Sequence, residues 1–241
     1  TMLVDVLDEW TVPGTLYEKL DDDDVRCVAC GHRCVLKPGQ RGICKVRFNR
    51  NGELRVPWGY VAGAQTDPIE KKPFSHFLPG SDALTFGMLG CNFHCDFCQN
   101  WISSQALRDP AVRFSPYNLQ QTEPQQMVEY AIKTGAQAIV SSYNEPLITT
   151  EWTVGIFKLA KEAGLKSGFV SDGYATPETL AYLQPYLDGL KIDLKTMQAE
   201  QYRQLGRKLD VVLDTIRRAV EMGIWVEVVT LVIPDFNDTP E

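Results

Sequence analysis

No stretch of this chain approaches the roughly 20 consecutive apolar residues of a membrane-spanning helix, and its opening residues do not read as a signal peptide, so neither is expected. Basic tracts are missing too: 24 Lys and Arg stand against 31 Asp and Glu, a net charge of −7. Broad nucleic-acid binding needs clustered positive charge, so that class is not expected. Scattered cysteines are also absent. All seven fall into two tight groups, four between positions 27 and 44 and three between 91 and 98. Such grouping fits metals in a reducing, cytoplasmic compartment better than disulfides. With 241 residues and 44% apolar side chains, the chain has room for one large domain or a barrel with a small appendage.

Cys91, Cys95 and Cys98 form a C-x3-C-x2-C cluster with no fourth cysteine nearby. Three thiolates at this spacing suit a cubane iron–sulfur cluster with one iron left open. Structural zinc, in contrast, is usually closed by four protein ligands. Ala83 to Gly87 reads as a buried strand, so the cysteine loop follows a strand's C-terminal end, where barrels and open α/β sheets keep their chemistry. Cys27, Cys30, Cys34 and Cys44 supply four thiolates for a closed site. Cysteine-only ligation admits zinc or an auxiliary 4Fe–4S cluster, and His32 is an alternative ligand.

Residues 1–80 read as an irregular, turn- and cysteine-rich metal-binding segment, with Asp21 to Asp24 as a solvated acidic run. From 81 to 241 strands alternate with helices. A capping box at Thr122 and Gln125 predicts a helix that buries Met127, Tyr130 and Ala131 and ends at Gly135. A strand at 138–143 follows, then a helix from about Thr150 burying Ile156, Leu159, Ala160 and Ala163. Gly168 to Ser171 is the third strand, and Thr176-Pro177-Glu178 starts the next helix. Gly189 to Leu194 is the fourth strand. A helix through Val212, Ile216, Ala219 and Val220 leads to a long fifth strand from Trp225 to Ile233. This alternation predicts a parallel sheet. Thr239-Pro240-Glu241 reads as a further helix start, so the chain is expected to be a fragment of the fold.

The cysteine loop, including the aromatic Phe97 before its last cysteine, resembles the signature of the radical S-adenosylmethionine superfamily. The string from Gly90 to Trp101 is similar to pyruvate formate-lyase-activating enzymes. The N-terminal cysteines and Asp67-Pro68-Ile69-Glu70-Lys71-Lys72-Pro73 resemble the AmmeMemoRadiSam-type enzymes. The resemblance implies an α/β fold, a partial parallel (β/α) barrel ending here after its fifth strand. It also implies a 4Fe–4S cluster, S-adenosylmethionine cleaved to methionine and a 5′-deoxyadenosyl radical, and a flavodoxin or ferredoxin donor.

Residue by residue, Glu145 in Tyr143-Asn144-Glu145-Pro146 matches the superfamily's Gly-Gly-Glu-Pro segment, although Tyr143 and Asn144 replace both glycines. The resemblance makes Glu145 a partner of the methionyl ammonium, and capping of the next turn is its plainer role. Ser171 and Asp172 fall where the activating enzymes carry Asp-Thr-Asn-Gly, which implies ribose contacts. Asp193 and Lys195 match Asp-Leu-Lys, with Lys195 toward the methionyl carboxylate and Asp193 toward a monovalent cation. Alternation puts Lys191, Asp193 and Lys195 on one face. Val232, Ile233 and Pro234 are candidates to line the adenine, His94 for an exposed or packing role. Lys71, Lys72 and His76, on a segment crossing the barrel, have substrate and solvent as the two alternatives, and solvent is the expectation. Two targets remain open for the radical: a glycyl-radical enzyme, or another substrate handled alongside Memo-like or Ammecr-like proteins. A metal-binding interaction module without turnover, and zinc-only nucleic-acid binding, are the readings from other classes.

Overall fold

The computed structural model describes residues 2–112 and 114–238. Six strands form its main sheet: β1 (Gly63–Pro68), β2 (Asp82–Gly87), β3 (Ala138–Ser141), β4 (Lys166–Ser171), β5 (Gly189–Asp193) and β6 (Trp225–Val229). They lie side by side in chain order. β2 to β6 are parallel, and β1 runs antiparallel to β2 along all six of its residues. The sheet therefore begins at Gly63, within the stretch expected to be irregular, and is mixed rather than wholly parallel. A crossover of helix length joins each parallel pair: α1 (Pro124–Lys133), α2 (Thr150–Glu162), α3 (Pro177–Leu183), then α4 (Ala199–Gln204) with α5 (Leu209–Glu221).

β3 is buried at every position because both its neighbours and both its faces are covered. Its odd-numbered side chains pack toward the helices, where Ile139 joins Leu84, Phe157, Phe169 and Ile192. The even-numbered Ala138 and Val140 face the other side, against Ile69, Phe74 and Phe77. These rings come from the segment after β1 and close the floor of the inner face. They need close approach: a Cβ at Gly189 would stand 2.9 Å from the Phe77 ring, and one at Gly168 would stand 3.3 Å from Phe74. Glu227 of β6 fastens the same segment, accepting the backbone N–H groups of Ser75, His76 and Phe77 at 2.7, 3.0 and 2.7 Å.

Several local expectations shift. The capping box of α1 is Glu123 with Gln126, one residue later than predicted, because Thr122 pairs its backbone with Gly59 and so stays outside the helix. That moves the buried stripe to Met127, Val128 and Ala131 and leaves Tyr130 exposed. Ala163 of the second helical pattern is exposed at the C-cap of its helix, and Val220 of the last is exposed because it lies off the buried stripe of Val212, Thr215 and Ala219. β6 stops at Val229, and Leu231 and Val232 are exposed, because this strand is the sheet's edge. The helix start expected at 239–241 lies outside the described residues. Among those described, no helix is long and apolar enough to cross a membrane.

The first 60 residues are ordered into small antiparallel sheets rather than irregular turns. Thr11–Pro13, Glu53–Pro57 and Phe48–Arg50 form one, and Tyr17–Lys19, Val25–Cys27 and Val35–Leu36 the other, around Leu16, Val25, Leu36, Leu54 and Val56. Asp21, Asp22 and Asp23 are exposed as expected. This appendage docks on the N-terminal ends of α2 and α3. Arg47 forms a two-armed pair with Glu151, both arms 2.7 Å, and Thr179 Oγ1 donates to the Val28 and Ala29 carbonyls at 3.0 Å. Helix N-termini follow the C-terminal ends of the parallel strands, so the appendage lies at the same end of the sheet as the second cysteine loop.

Candidate active site at the mouth of the sheet

Beyond β2 the chain turns at Gly90, whose φ of +94° is a glycine conformation, and enters the loop of Cys91, Cys95 and Cys98. The backbone N–H of Phe93 donates to Cys91 Sγ at 3.3 Å, and Ser104 Oγ lies 3.4 Å from Cys98 Sγ. Arg108 clamps the loop from behind, donating to the carbonyls of Phe93 and Cys91 at 2.9 Å and of Ile43 at 2.5 Å. His94 is exposed, its Nδ1 2.9 Å from Gln105 Oε1.

The three cysteines open on a cavity of about 440 Å³ over the C-terminal ends of the strands. Glu145 is only 3% exposed at its wall. Its Oε1 accepts Ser171 Oγ at 2.7 Å and the Leu147 N–H at 3.0 Å, and its Oε2 accepts the Asp172 N–H at 2.8 Å. Glu145 thus caps the following turn and faces the cavity at once. Burial, with the neighbouring Asp172, pushes its pKa well up, and burial raises Asp172 as well. Asp172 Oδ2 is buried without a hydrogen-bond partner. Asn144 lies in the same wall, but its amide serves the backbone: Oδ1 accepts Met88 N–H at 2.9 Å. Tyr143 stands at φ +68° where the resembled pattern has glycine.

Asp193 pairs with both Lys191 and Lys195, the latter at 3.1 Å, on one face as alternation requires. Burial, aided by the Lys195 charge, pulls Lys191 down to about 8. Phe97 lines the cavity and packs on Phe236 at 5.3 Å. Val229, Thr230 and Leu231 form the β6 side, whereas Val232, Ile233 and Pro234 lie beyond it, because the strand ends early. Lys71 and Lys72 both border the cavity; Lys71 is exposed, as expected, and only Lys72 departs from the solvent-facing expectation. Lys72 is 6% exposed, with Nζ 3.1 Å from Tyr143 Oη and 3.4 Å from Asp67. Pairing of β1 with β2 turns this segment inward. His76 does face solvent.

In the first cysteine group Cys27, Cys30 and Cys44 are buried and Cys34 half-buried. A Cβ on Gly42 would stand 3.7 Å from Cys44 Sγ and 3.8 Å from Cys34 Sγ, and Cys27 N–H donates to the Cys34 carbonyl. Burial raises Cys30 and Cys91 and takes Cys44 and Cys95 to about 11, so these groups are thiols until a metal displaces their protons. Among the described residues no three His, Cys, Asp or Glu side chains already stand in a metal-holding arrangement. His32 is neutral, held near 4 by burial and by Arg207, with Nε2 unpartnered.

The soft donor set of each group fits iron–sulfur chemistry, and the unfilled Asp172 oxygen fits a ligand in the cavity. Sequence reasoning favoured the wrong side for Lys72, and it missed Glu227 as the anchor of the floor and Arg207, buried between the two cysteine loops. Glu227, a lone charge within the apolar strand Trp225–Val229, carried a local signal; Arg207 and Lys72 lie among other polar residues and carried none.

A model of the radical SAM superfamily matches residues 86–240. An uncharacterized protein of Methanocaldococcus jannaschii, MJ0808, is 39% identical over 224 residues, 92% of this chain and 65% of that protein. The chain therefore spans less than two thirds of that relative's length. A pyruvate formate-lyase-activating enzyme of Clostridium pasteurianum is 24% identical over 68% of this chain and 66% of its own. The crystal structure of a radical SAM methyltransferase from Sphaerobacter thermophilus aligns with a TM-score of 0.49 and 14% identity, covering 96% of this chain and 61% of that one. A match that starts inside β2 and takes in the whole cysteine loop and every later strand makes this chain a member of the radical SAM superfamily, whose enzymes use a 4Fe–4S cluster and S-adenosylmethionine.

Proposed function

We propose that the protein is a radical SAM enzyme whose cluster is held by Cys91, Cys95 and Cys98. One observation carries this reading: those three thiols share a single cavity with Glu145, Asp172, Asp193 and Lys195. Bound there, the cluster and S-adenosylmethionine supply reductive cleavage to methionine and a 5′-deoxyadenosyl radical that takes hydrogen from a substrate. Glu145 receives the methionyl ammonium, for which its buried oxygens are already oriented by Ser171 and Asp172. Lys195, on the far wall, receives the carboxylate, with Asp193 holding its ammonium in place. Asp172 Oδ2 is the free acceptor for a ribose hydroxyl. Phe97, Val229 and Leu231 give the cavity's sides apolar surface.

Superfamily enzymes need a reductant such as flavodoxin or ferredoxin. Zinc or a second iron–sulfur cluster on Cys27, Cys30, Cys34 and Cys44 agrees with the donor set. Memo-like or Ammecr-like partners rest on the sequence resemblance alone. The identity of the relative from Clostridium supports glycyl-radical-enzyme activation as the second reading. An anaerobic electron paramagnetic resonance spectrum of the reduced, reconstituted protein tests the proposal. A 4Fe–4S signal that changes on adding S-adenosylmethionine is expected, and it should vanish with the iron in Cys95→Ala. A folded wild-type protein with a cluster signal that never responds to S-adenosylmethionine would instead be a metal-binding module.

A further inference from the structure

Arg207 lies in the turn between α4 and α5 and is only 5% exposed. Its guanidinium carbon stands 4.5 Å from the centroid of the Phe93 ring and 5.8 Å from that of Tyr174. Phe93 belongs to the Cys91–Cys98 loop. Tyr174 packs on His32, centroids 5.2 Å apart, inside the Cys27–Cys34 loop. One cation therefore sits in the wall common to both cysteine groups. Nη1 donates to the Gly206 carbonyl at 2.7 Å, while Nε and Nη2 are buried with no partner. Its charge acts on Asp172, Tyr174 and His32, on Cys30 and Cys34 of the first cysteine group, and on Cys91 and Cys95 of the second.

A buried guanidinium with two empty donors is costly unless an anion balances it. Asp172 offers one charge, and its burial favours the neutral acid. Arg207 does not border the cavity, so a small molecule bound there is not its counter-ion. Cysteines become anions when they bind metal, and four thiolates around a divalent metal leave a net negative site. We propose that Arg207 is the shared counter-ion of two thiolate-bound centres, a positioning residue that couples the Cys27–Cys44 site to the electron affinity of the cluster on Cys91, Cys95 and Cys98. This rests on the cluster assignment above. A nearby cation favours the reduced, more negative cluster, so its loss makes reduction harder.

The experiment is a potentiometric paramagnetic resonance titration of the reconstituted full chain, with metal retention against a chelator measured in parallel. Arg207→Met, a neutral side chain of similar length, should shift the cluster midpoint to more negative potential and speed metal loss from the first group. Arg207→Lys should restore both. Cys34→Ala, which removes a half-buried thiol and with it the first site's charge, should shift the midpoint the opposite way. That variant decides the matter if Arg207→Met does not fold. A folded Arg207→Met with unchanged midpoint, a change at one group alone, or an unmoved Cys34→Ala midpoint overturns the coupling. Wild-type protein that takes up no cluster overturns the assignment beneath it, which distinguishes the two failures.

Discussion

Ser171 Oγ donates to Glu145 Oε1 at 2.7 Å, joining the end of β4 to the turn that follows β3. With the Asp172 N–H on the other oxygen, the carboxylate is fixed before any ligand arrives. Such preorganisation is what a cationic ligand needs, because no side chain has to be ordered on binding.

Glu145→Gln keeps the size but removes the carboxylate that a bound ammonium would hold ionised against its burial beside Asp172. Affinity for S-adenosylmethionine should fall about ten- to a hundredfold, the ~1.5–3 kcal/mol of a hydrogen bond to a charged group. Calorimetry on the cluster-loaded protein measures it. Unchanged affinity returns Glu145 to capping alone.

Glu227 governs acid stability of the floor. Burial raises its pKa, but the N–H groups of Ser75, His76 and Phe77 and the Trp225 indole outweigh that and hold it below the usual carboxylate value. A depressed folded pKa gives stability that is full above the ordinary carboxylate range and is lost as pH falls through the folded value. Glu227→Gln should cost about 1.5–3 kcal/mol at neutral pH. Its deficit against wild type should shrink at low pH in paired urea titrations. A deficit independent of pH means the charge is not involved.

Arg47, 1% exposed, and Glu151 lock the appendage to α2. Removing one partner strands a buried charge, so Arg47→Met should cost about 3–5 kcal/mol. The double change with Glu151→Leu should recover part of that, although the Thr15 and Leu16 N–H groups then lose their acceptor. Additive losses across the cycle would show that the two side chains act separately.

Gly90 links the two cysteine groups through the backbone. At φ +94°, an added Cβ would stand 2.9 Å from the Cys44 carbonyl oxygen and 3.0 Å from Val46. Gly90→Ala should therefore lower metal content at both groups and cost about 1–3 kcal/mol for the strained backbone. Loss at the Cys91 group alone argues that Cys44 yields without consequence.

Much of the architecture was legible because its causes are local. Cysteine spacing sorted the seven thiols into two groups, and apolar periodicity with glycine and proline stops located five of the six main strands and four of the five crossover helices, all but the short α4. Boundaries slipped where competing partners lay elsewhere: Thr122 is drawn out of α1 by Gly59, and β6 stops early because nothing among the described residues pairs beyond it. The alternation that put Lys191, Asp193 and Lys195 together needs only the period of a strand.

By itself, then, the sequence determined the chemistry on offer: two groups of soft sulfur donors, the carboxylates and lysines at strand ends, and a chain that alternates strand and helix. Tertiary structure alone decided that β1 runs antiparallel at the sheet edge, that Lys72 meets Tyr143 across 71 residues, and that Glu227 holds Ser75 across 152. It also set Arg207 between Phe93 and Tyr174, hence between both cysteine loops. These pairings are non-local: no repeat in the sequence encodes them, and only the closing of the sheet brings the partners within reach of one another.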